Sequence, residues 1–331
     1  MKALIRAPFA ERWLQRLREQ LDVVYEPWIE ERRIYGPDEL AARVRNEGFS
    51  ILLVEADFMF EPVFAVPGLR LAGTCRNALD QVDLKAASAH GVPVLHAPGR
   101  NNVAVAELAV GLMVAIARHL PAAHAHVAGG QWRDPIDTYI RFQGREIAGS
   151  VVGIVGLGQI GAEVARRAQA LGARVLASDP YAPKRRAEKL GVRLVSLRTL
   201  LRQADFVTMH TSQMKTVIID GGGLDLMKPT AYLVNTGAPG ALDYDALAER
   251  LKARRIAGAA LDVFPGFVLS SSSPLLELDN VILTPHIGGA TRETVERQSR
   301  MLGEEVLRFV QGKRLRRVVN PEALKGAAHG R

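Results

Sequence analysis

Short apolar runs alternate with amphipathic stretches along most of the chain. Runs at 3–6, 23–25, 51–54, 69–73 and 92–96 read as strands, and the segments 11–20, 37–47 and 83–90 read as helices. Pro37 suits a first helical turn, while Gly48 and Gly91 mark helix ends. A second series starts near Val151 and runs through 206–210, 231–235, 256–261 and 281–283, with helices between. A last helix, expected at 293–311, crosses back onto the first series. Regular alternation of strand and helix implies parallel sheets covered on both faces. The expected fold is therefore α/β, with two doubly wound parallel-sheet domains. One takes 1–97 and 289–331 and the other 98–288, which opens on a long helical stretch at 101–119. Ligands of such sheets bind outside the carboxyl ends of the strands, so the cleft between the domains is the expected site.

The second series opens with the most specific motif. The run Val151-Val152-Gly153-Ile154-Val155 reads as a buried strand, and Gly156-Leu157-Gly158-Gln159-Ile160-Gly161 follows it directly. A helix is expected at 162–171, then a strand at 174–178 ending on Asp179, 18 residues past the third glycine. This is a complete strand–loop–helix–strand–acid unit for dinucleotide binding, beyond a glycine-rich structural turn. Gly156 permits the tight turn, Gly158 lets the backbone approach a pyrophosphate, and Gly161 lets helix and strand pack closely. The helix start then offers unpaired N–H groups to the phosphates.

Composition narrows the classes. At 331 residues, 48% hydrophobic and 24% charged, the chain reads as an ordinary globular protein long enough for two domains. Cys75 is the only cysteine, so no intrachain disulfide forms, and a reducing cytoplasm is expected. The longest apolar stretch, 103–117, has 15 residues and includes Glu107. A membrane span needs about 20, so no membrane partner is expected. The net charge of +8 is spread over many segments, with one cluster at Lys313-Arg314-Leu315-Arg316-Arg317. That pattern reads as a solvated surface, with no nucleic-acid partner. His119, His124 and His126 are spaced by five and two, which does not put a helical pair on one face, so no metal site is expected. Cys75 lacks an activating motif and reads as a small buried hydrophobe.

Several further segments share one pattern. They are Asp80-Gln81-Val82-Asp83, Gly91-Val92-Pro93-Val94, Ala97-Pro98-Gly99-Arg100-Asn101 and Val105-Ala106-Glu107, then Leu226-Met227-Lys228-Pro229, Val234-Asn235-Thr236, Ala260-Leu261-Asp262-Val263-Phe264 and Thr284-Pro285-His286-Ile287-Gly288-Gly289. Over about 50–300 the chain thereby resembles the D-isomer-specific 2-hydroxyacid dehydrogenases. The resemblance implies a Rossmann nucleotide-binding domain beside a flavodoxin-like substrate domain, NAD as cofactor, and a small anionic substrate. It also implies a homodimer formed through a helical arm, here about 101–130. Gly156, Gly158, Gln159, Ile160 and Gly161 would cradle the cofactor, and Asp179 would bond the ribose and repel a 2′-phosphate. Lys184, Arg185 and Arg186 lie close to Asp179 in sequence. Asp262 would bond the nicotinamide carboxamide, while His210, Asn235, Thr236, His286 and Gly288 would line the cofactor cleft.

The family's chemistry uses an arginine for the substrate carboxylate and ketone, a histidine for the proton, and a glutamate that holds the histidine. His286 takes the histidine position. The arginine position, three residues past Asn235, is Ala238, and the glutamate position is Phe267. Arg76, in a loop that many relatives build from glycine, and Arg100 are the remaining candidates for a substrate anion. Tyr139, Arg141 and Arg145 precede the nucleotide motif and could reach the site from a partner subunit. Two readings stay open: an NAD-dependent oxidoreductase acting on the CH–OH group of a hydroxy acid through an atypical site, and a non-catalytic NAD(H)-binding, redox-sensing dimer.

Overall fold

The computed structural model describes residues 1–212, 216–266 and 268–326, so Phe267 lies outside the described residues. The chain divides into two units, Met1–Arg100 with Thr291–Arg331, and Asn101–Ala290.

Among the described residues, unit 1 holds a parallel sheet of β1 (Lys2–Ile5), β2 (Asp22–Tyr25), β3 (Ile51–Val54), β4 (Leu71–Thr74) and β5 (Val94–His96), in the order β2-β1-β3-β4-β5. Strand side chains alternate between faces, so each strand feeds two cores. Ile5, Leu53 and Leu95 pack under the helices Glu11–Arg18 and Arg292–Val310 with Trp13, Leu14, Leu17, Leu302 and Val306. Leu4, Leu52 and Val94 pack on the other face with Leu40, Val44, Phe49 and Phe64. The two helices of the first face run side by side and parallel. Ala10, just before the shorter helix, donates its N–H to Ser299 Oγ at 2.8 Å in the middle of the longer one, and Gln311 Nε2 donates to Gln20 Oε1 at 3.3 Å just past the ends of both. Between these points Gly303 lets the ring of Trp13 pack against the longer helix; a Cβ there would lie 2.6 Å from Trp13 Cε3. The strand expected at 69–73 forms two residues later, because Gly68 turns the chain at φ +90° and Arg70 N bonds Ser50 O only beyond that turn.

Among the described residues, unit 2 has a parallel sheet of β6 (Val151–Val155), β7 (Arg174–Ser178), β8 (Arg193–Leu194), β9 (Phe206–Met209), β10 (Tyr232–Asn235), β11 (Gly258–Leu261) and β12 (Val281–Leu283). Their order is β12-β11-β10-β9-β6-β7-β8. The strand order reverses between β6 and β9, which opens a crevice at their carboxyl ends, where ligands of doubly wound sheets bind. The helical stretch expected at 101–119 is Asn102–Ala117, and His119, at φ +54°, breaks it before Leu120–Ala128. No single helix among the described residues is long and apolar enough to cross a membrane.

Candidate active site

The loop after β6 is shaped by what its glycines exclude. Gly156 lies at φ +95°, and a Cβ on it would come within 2.9 Å of His210 O. A Cβ on Gly161 would sit 2.1 Å from Gly156 O, so no side chain fits where the helix Gln159–Ala170 meets the loop. Gly158 differs: nothing lies within 4 Å of its Cβ position. The loop is thus closed on its protein side and open where a phosphate would approach. No side chain caps the helix at Gly158, and its first-turn N–H groups have no intrahelical partner. Asp179, at the end of β7, ties the loop down: Oδ2 accepts Leu157 N and Oδ1 accepts Tyr181 N, each at 2.8 Å. Tight turn, open backbone, uncapped helix and acid together fit a dinucleotide.

A cavity of about 540 Å³ adjoins Gly158 and Gln159, and its walls include Arg166, Arg185, Arg186 and Lys189. Arg186 Nη1 donates to Leu157 O at 3.1 Å, and Asn102 Nδ2 donates to Gln159 Oε1 at 2.8 Å. Sequence reasoning missed Asn102, Arg166 and Lys189. Arg166 carried a usable signal, since a residue seven past Gln159 falls on the same helix face.

The next strand ends are held by polar pairs. His210 follows β9 and is buried, with Nε2 2.8 Å from Thr208 Oγ1 and Nδ1 3.3 Å from Thr236 Oγ1. Burial pushes its pKa down to about 3, so the ring is neutral at physiological pH. Asn235 ends β10; its Oδ1 accepts Gly237 N at 3.0 Å and its Nδ2 donates to Tyr244 Oη at 3.1 Å. Tyr244, another residue not foreseen, donates to Val263 O at 2.5 Å, and burial raises its pKa. Ala238 is buried in the unit's core, with its N–H on Thr211 O at 2.9 Å.

Asp262, just past β11, is 1% exposed and organises the segment after β12. Its Oδ1 accepts Thr284 Oγ1 at 2.7 Å and Ile287 N at 2.9 Å, while Oδ2 accepts Gly288 N at 2.9 Å. Inside this clasp His286 takes φ +55° with its N–H on Thr284 O, and it is exposed. A left-handed residue other than glycine costs about 1–2 kcal/mol, which the three bonds to Asp262 offset. Gly288 is required beneath it, since a Cβ there would lie 3.0 Å from Asp262 Oδ2. The glycine loop, Asp179, His210, Asn235, Thr236, Asp262, His286 and Gly288 thus share the carboxyl edge of one sheet.

Arg76 and Arg100 follow β4 and β5 at the carboxyl edge of the other sheet, in unit 1. Arg100 is paired: its guanidinium meets Glu55 at 2.5 Å and also bonds Gln298. Gln298 is itself anchored on Pro8 O at 2.7 Å, and Glu55 receives Trp28 Nε1 at 3.2 Å. Arg76 bonds the neutral Gln81, whose amide donates to Glu55 O at 2.5 Å. Among the described residues no carboxylate pairs with Arg76. Cys75, beside it, is fully buried, and burial raises its thiol pKa, so it stays protonated. Arg145 bonds Thr230 O and pairs with Asp205, which fixes it within unit 2.

The comparisons with known proteins agree on one family. The model of the D-isomer specific 2-hydroxyacid dehydrogenase NAD binding domain matches residues 110–288. A D-3-phosphoglycerate dehydrogenase of Archaeoglobus fulgidus is 35% identical over 323 residues, 97% of this chain; the chain spans only 59% of that protein's length. A glyoxylate reductase of Thermofilum pendens is 34% identical over 94% of this chain and 92% of its own length. Among solved structures, the TT0316 protein of Thermus thermophilus superposes with a TM-score of 0.85 at 32% identity, covering 96% of this chain and 100% of that one.

Proposed function

This chain belongs to the D-isomer-specific 2-hydroxyacid dehydrogenase family, and from that premise we propose that it oxidises or reduces a small anionic hydroxy or keto acid through an atypical active site. NAD is its cofactor and carries the hydride when bound. Gly156, Gly158, Gln159, Ile160 and Gly161 hold the phosphates, with Asp179 toward the ribose and the segments at His210, Asn235 and Thr236 along the remainder. His286 moves the substrate proton at its ring. Asp262 acts through His286: with both oxygens bonded inside the chain, it is a positioning residue for the turn. His210 is unsuited to proton transfer, being buried between two hydroxyls and neutral. Arg76 supplies the cation for the substrate carboxylate, a role that Ala238 cannot fill, and Arg100 braces that wall through Glu55.

The observation that carries this reading is the clasped, exposed His286 on the same sheet edge as the open glycine loop. The test is a panel of 2-hydroxy and 2-keto acids, phosphorylated ones included, assayed with NAD(H). Turnover abolished by His286→Gln, with NADH binding retained, is the expected result. NADH binding without turnover on any acid would overturn it and leave the non-catalytic NAD(H)-binding reading. The lone buried thiol of Cys75 suits a reducing cytoplasm. Homodimerisation is proposed through the helical arm at about 101–130, where Leu120 and Val127 are at least half exposed, with the exposed Trp132, Ile136, Tyr139 and Ile140 following it in the chain. A monomer by light scattering at micromolar concentration would refute it.

A further inference from the structure

We propose that unit 1 carries a second ligand site, for a small phosphate-bearing anion, where the C-terminal halves of Glu11–Arg18 and Arg292–Val310 meet the basic segment 313–317. The site is a cavity of about 360 Å³ whose walls include Trp13, Arg16, Arg308, Lys313 and Arg316. Its two acidic residues are already matched. Glu305 is fully buried and accepts Arg316 N at 2.6 Å and Arg317 N at 3.3 Å, with the Arg317 guanidinium at 3.4 Å. Glu304 faces that same guanidinium at 4.0 Å. Among the described residues no carboxylate pairs with Arg16, Arg308, Lys313 or Arg316, and Arg16 lies over the Trp13 ring at 4.5 Å.

Cations in the last turn of a helix offset its negative end, and that accounts for Arg16 and Arg308. It does not account for Lys313 and Arg316, which lie beyond both helices. A second observation is independent of charge. Trp13 is 5% exposed, and its Nε1–H is buried without a hydrogen-bond partner. Buried donors are rarely left so. Trp13 lines the same cavity as these cations, and an indole N–H joined to guanidinium and ammonium groups is a donor set for phosphate oxygens.

The site is separate from the candidate substrate residues of the same unit. The helix Glu11–Arg18 leaves the carboxyl end of β1 and returns to the amino end of β2, which carries Arg16 toward the amino edge of the sheet. Arg76 and Arg100 stand at the carboxyl edge. A small ligand is favoured over a duplex or a membrane because the cations converge on one concavity.

The test is calorimetric titration of inorganic pyrophosphate into the full chain saturated with NAD, so that the glycine loop is occupied, at fixed ionic strength. One equivalent is expected to bind. Lys313→Ala with Arg316→Ala should weaken it by at least about tenfold while leaving NAD affinity unchanged. Trp13→Phe, which keeps the ring against Gly303 but removes the N–H, should weaken it less. Absence of pyrophosphate binding, or equal binding by the double variant, would overturn the proposal. So would citrate binding as tightly as pyrophosphate, which would make the ligand a polycarboxylate, or binding of duplex DNA alone.

Discussion

The carboxyl edges of the two sheets are stabilised in different ways. In unit 2 the key side chains bond to backbone: Asp179 holds Leu157 N and Tyr181 N, and Asp262 holds Ile287 N and Gly288 N. In unit 1 the corresponding edge is a side-chain network running from Arg76 through Gln81, and from Arg100 to Glu55 and Gln298. Carboxylates on backbone amides fix the path of a loop, so the first edge is a rigid mould. A network of long side chains can be rearranged one member at a time. The first arrangement suits a cofactor of constant shape, and the second suits the substrate wall proposed for Arg76 and Arg100.

The largest effects should come from the mould. Gly161→Ala would put a methyl group 2.1 Å from Gly156 O, and backbone cannot yield as a flexible side chain would. We expect NADH affinity, followed by fluorescence titration, to fall at least about 100-fold, equivalent to about 2.7 kcal/mol. An unchanged affinity would mean that the loop is more pliant than its contacts indicate. Asp262→Ala should follow, since it leaves three donors of the His286 turn without their acceptor. The expected cost is about 2–3 kcal/mol in urea unfolding, with kcat falling more than KM for the acid. Loss of stability with kcat intact would separate the clasp from the chemistry.

His210 tests the same edge through pH. Its folded pKa of about 3 lies below the ordinary 6.5, so the unfolded chain takes up the proton first on acidification. The stability this contributes is complete above about pH 6.5 and is lost progressively as pH falls toward 3. Between pH 7 and pH 5 the parent should lose about 2 kcal/mol more than His210→Gln, in urea unfolding at both values. Parallel losses would show that the ring titrates normally.

The two edges also differed in how far their residues could be read in advance. The glycine loop is legible because each glycine answers a steric demand set within a few residues of chain, and strand–helix alternation fixes the parallel sheets just as locally. The clasp at Asp262 joins residues more than twenty apart, and two of its three partners are backbone groups that carry no sequence signature. Likewise the pattern placed Arg6 at the end of a strand but not its burial. There it pairs with Asp57 at 3.0 Å and donates to the carbonyls of Glu26 and Arg33. The cationic lining beside Gly158 was signalled in part, by Arg185 and Arg186 close to Asp179 in sequence and by Arg166 on the helix face of Gln159, whereas Lys189 reaches it only through the packing of the helix Lys184–Leu190. Arg76 and Arg100 look equivalent in sequence. Their difference arises from Glu55, which follows another strand.

That difference gives the smallest and most discriminating prediction. Arg100 neutralises Glu55, whose side chain is 15% exposed, so Arg100→Ala leaves a largely buried carboxylate with Trp28 Nε1 as its remaining donor. Its effect should appear in stability, as a lowered Tm. Among the described residues Arg76 balances no carboxylate, and Gln81 keeps its bonds to Glu55 O and Thr74 Oγ1 when the guanidinium is removed. Arg76→Ala should therefore leave Tm near that of the parent and raise KM for the anionic acid by about tenfold, or about 1.4 kcal/mol, with NADH affinity unchanged. Arg76→Lys should restore only part of this, since an ammonium keeps the charge but cannot bond a carboxylate through two parallel N–H groups. If instead Arg100→Ala raised KM at constant Tm while Arg76→Ala was silent, the substrate anion would lie on the Glu55 side of the wall. The contrast between a cofactor mould fixed by backbone and a substrate wall fixed by side chains would then have to be redrawn around Arg100.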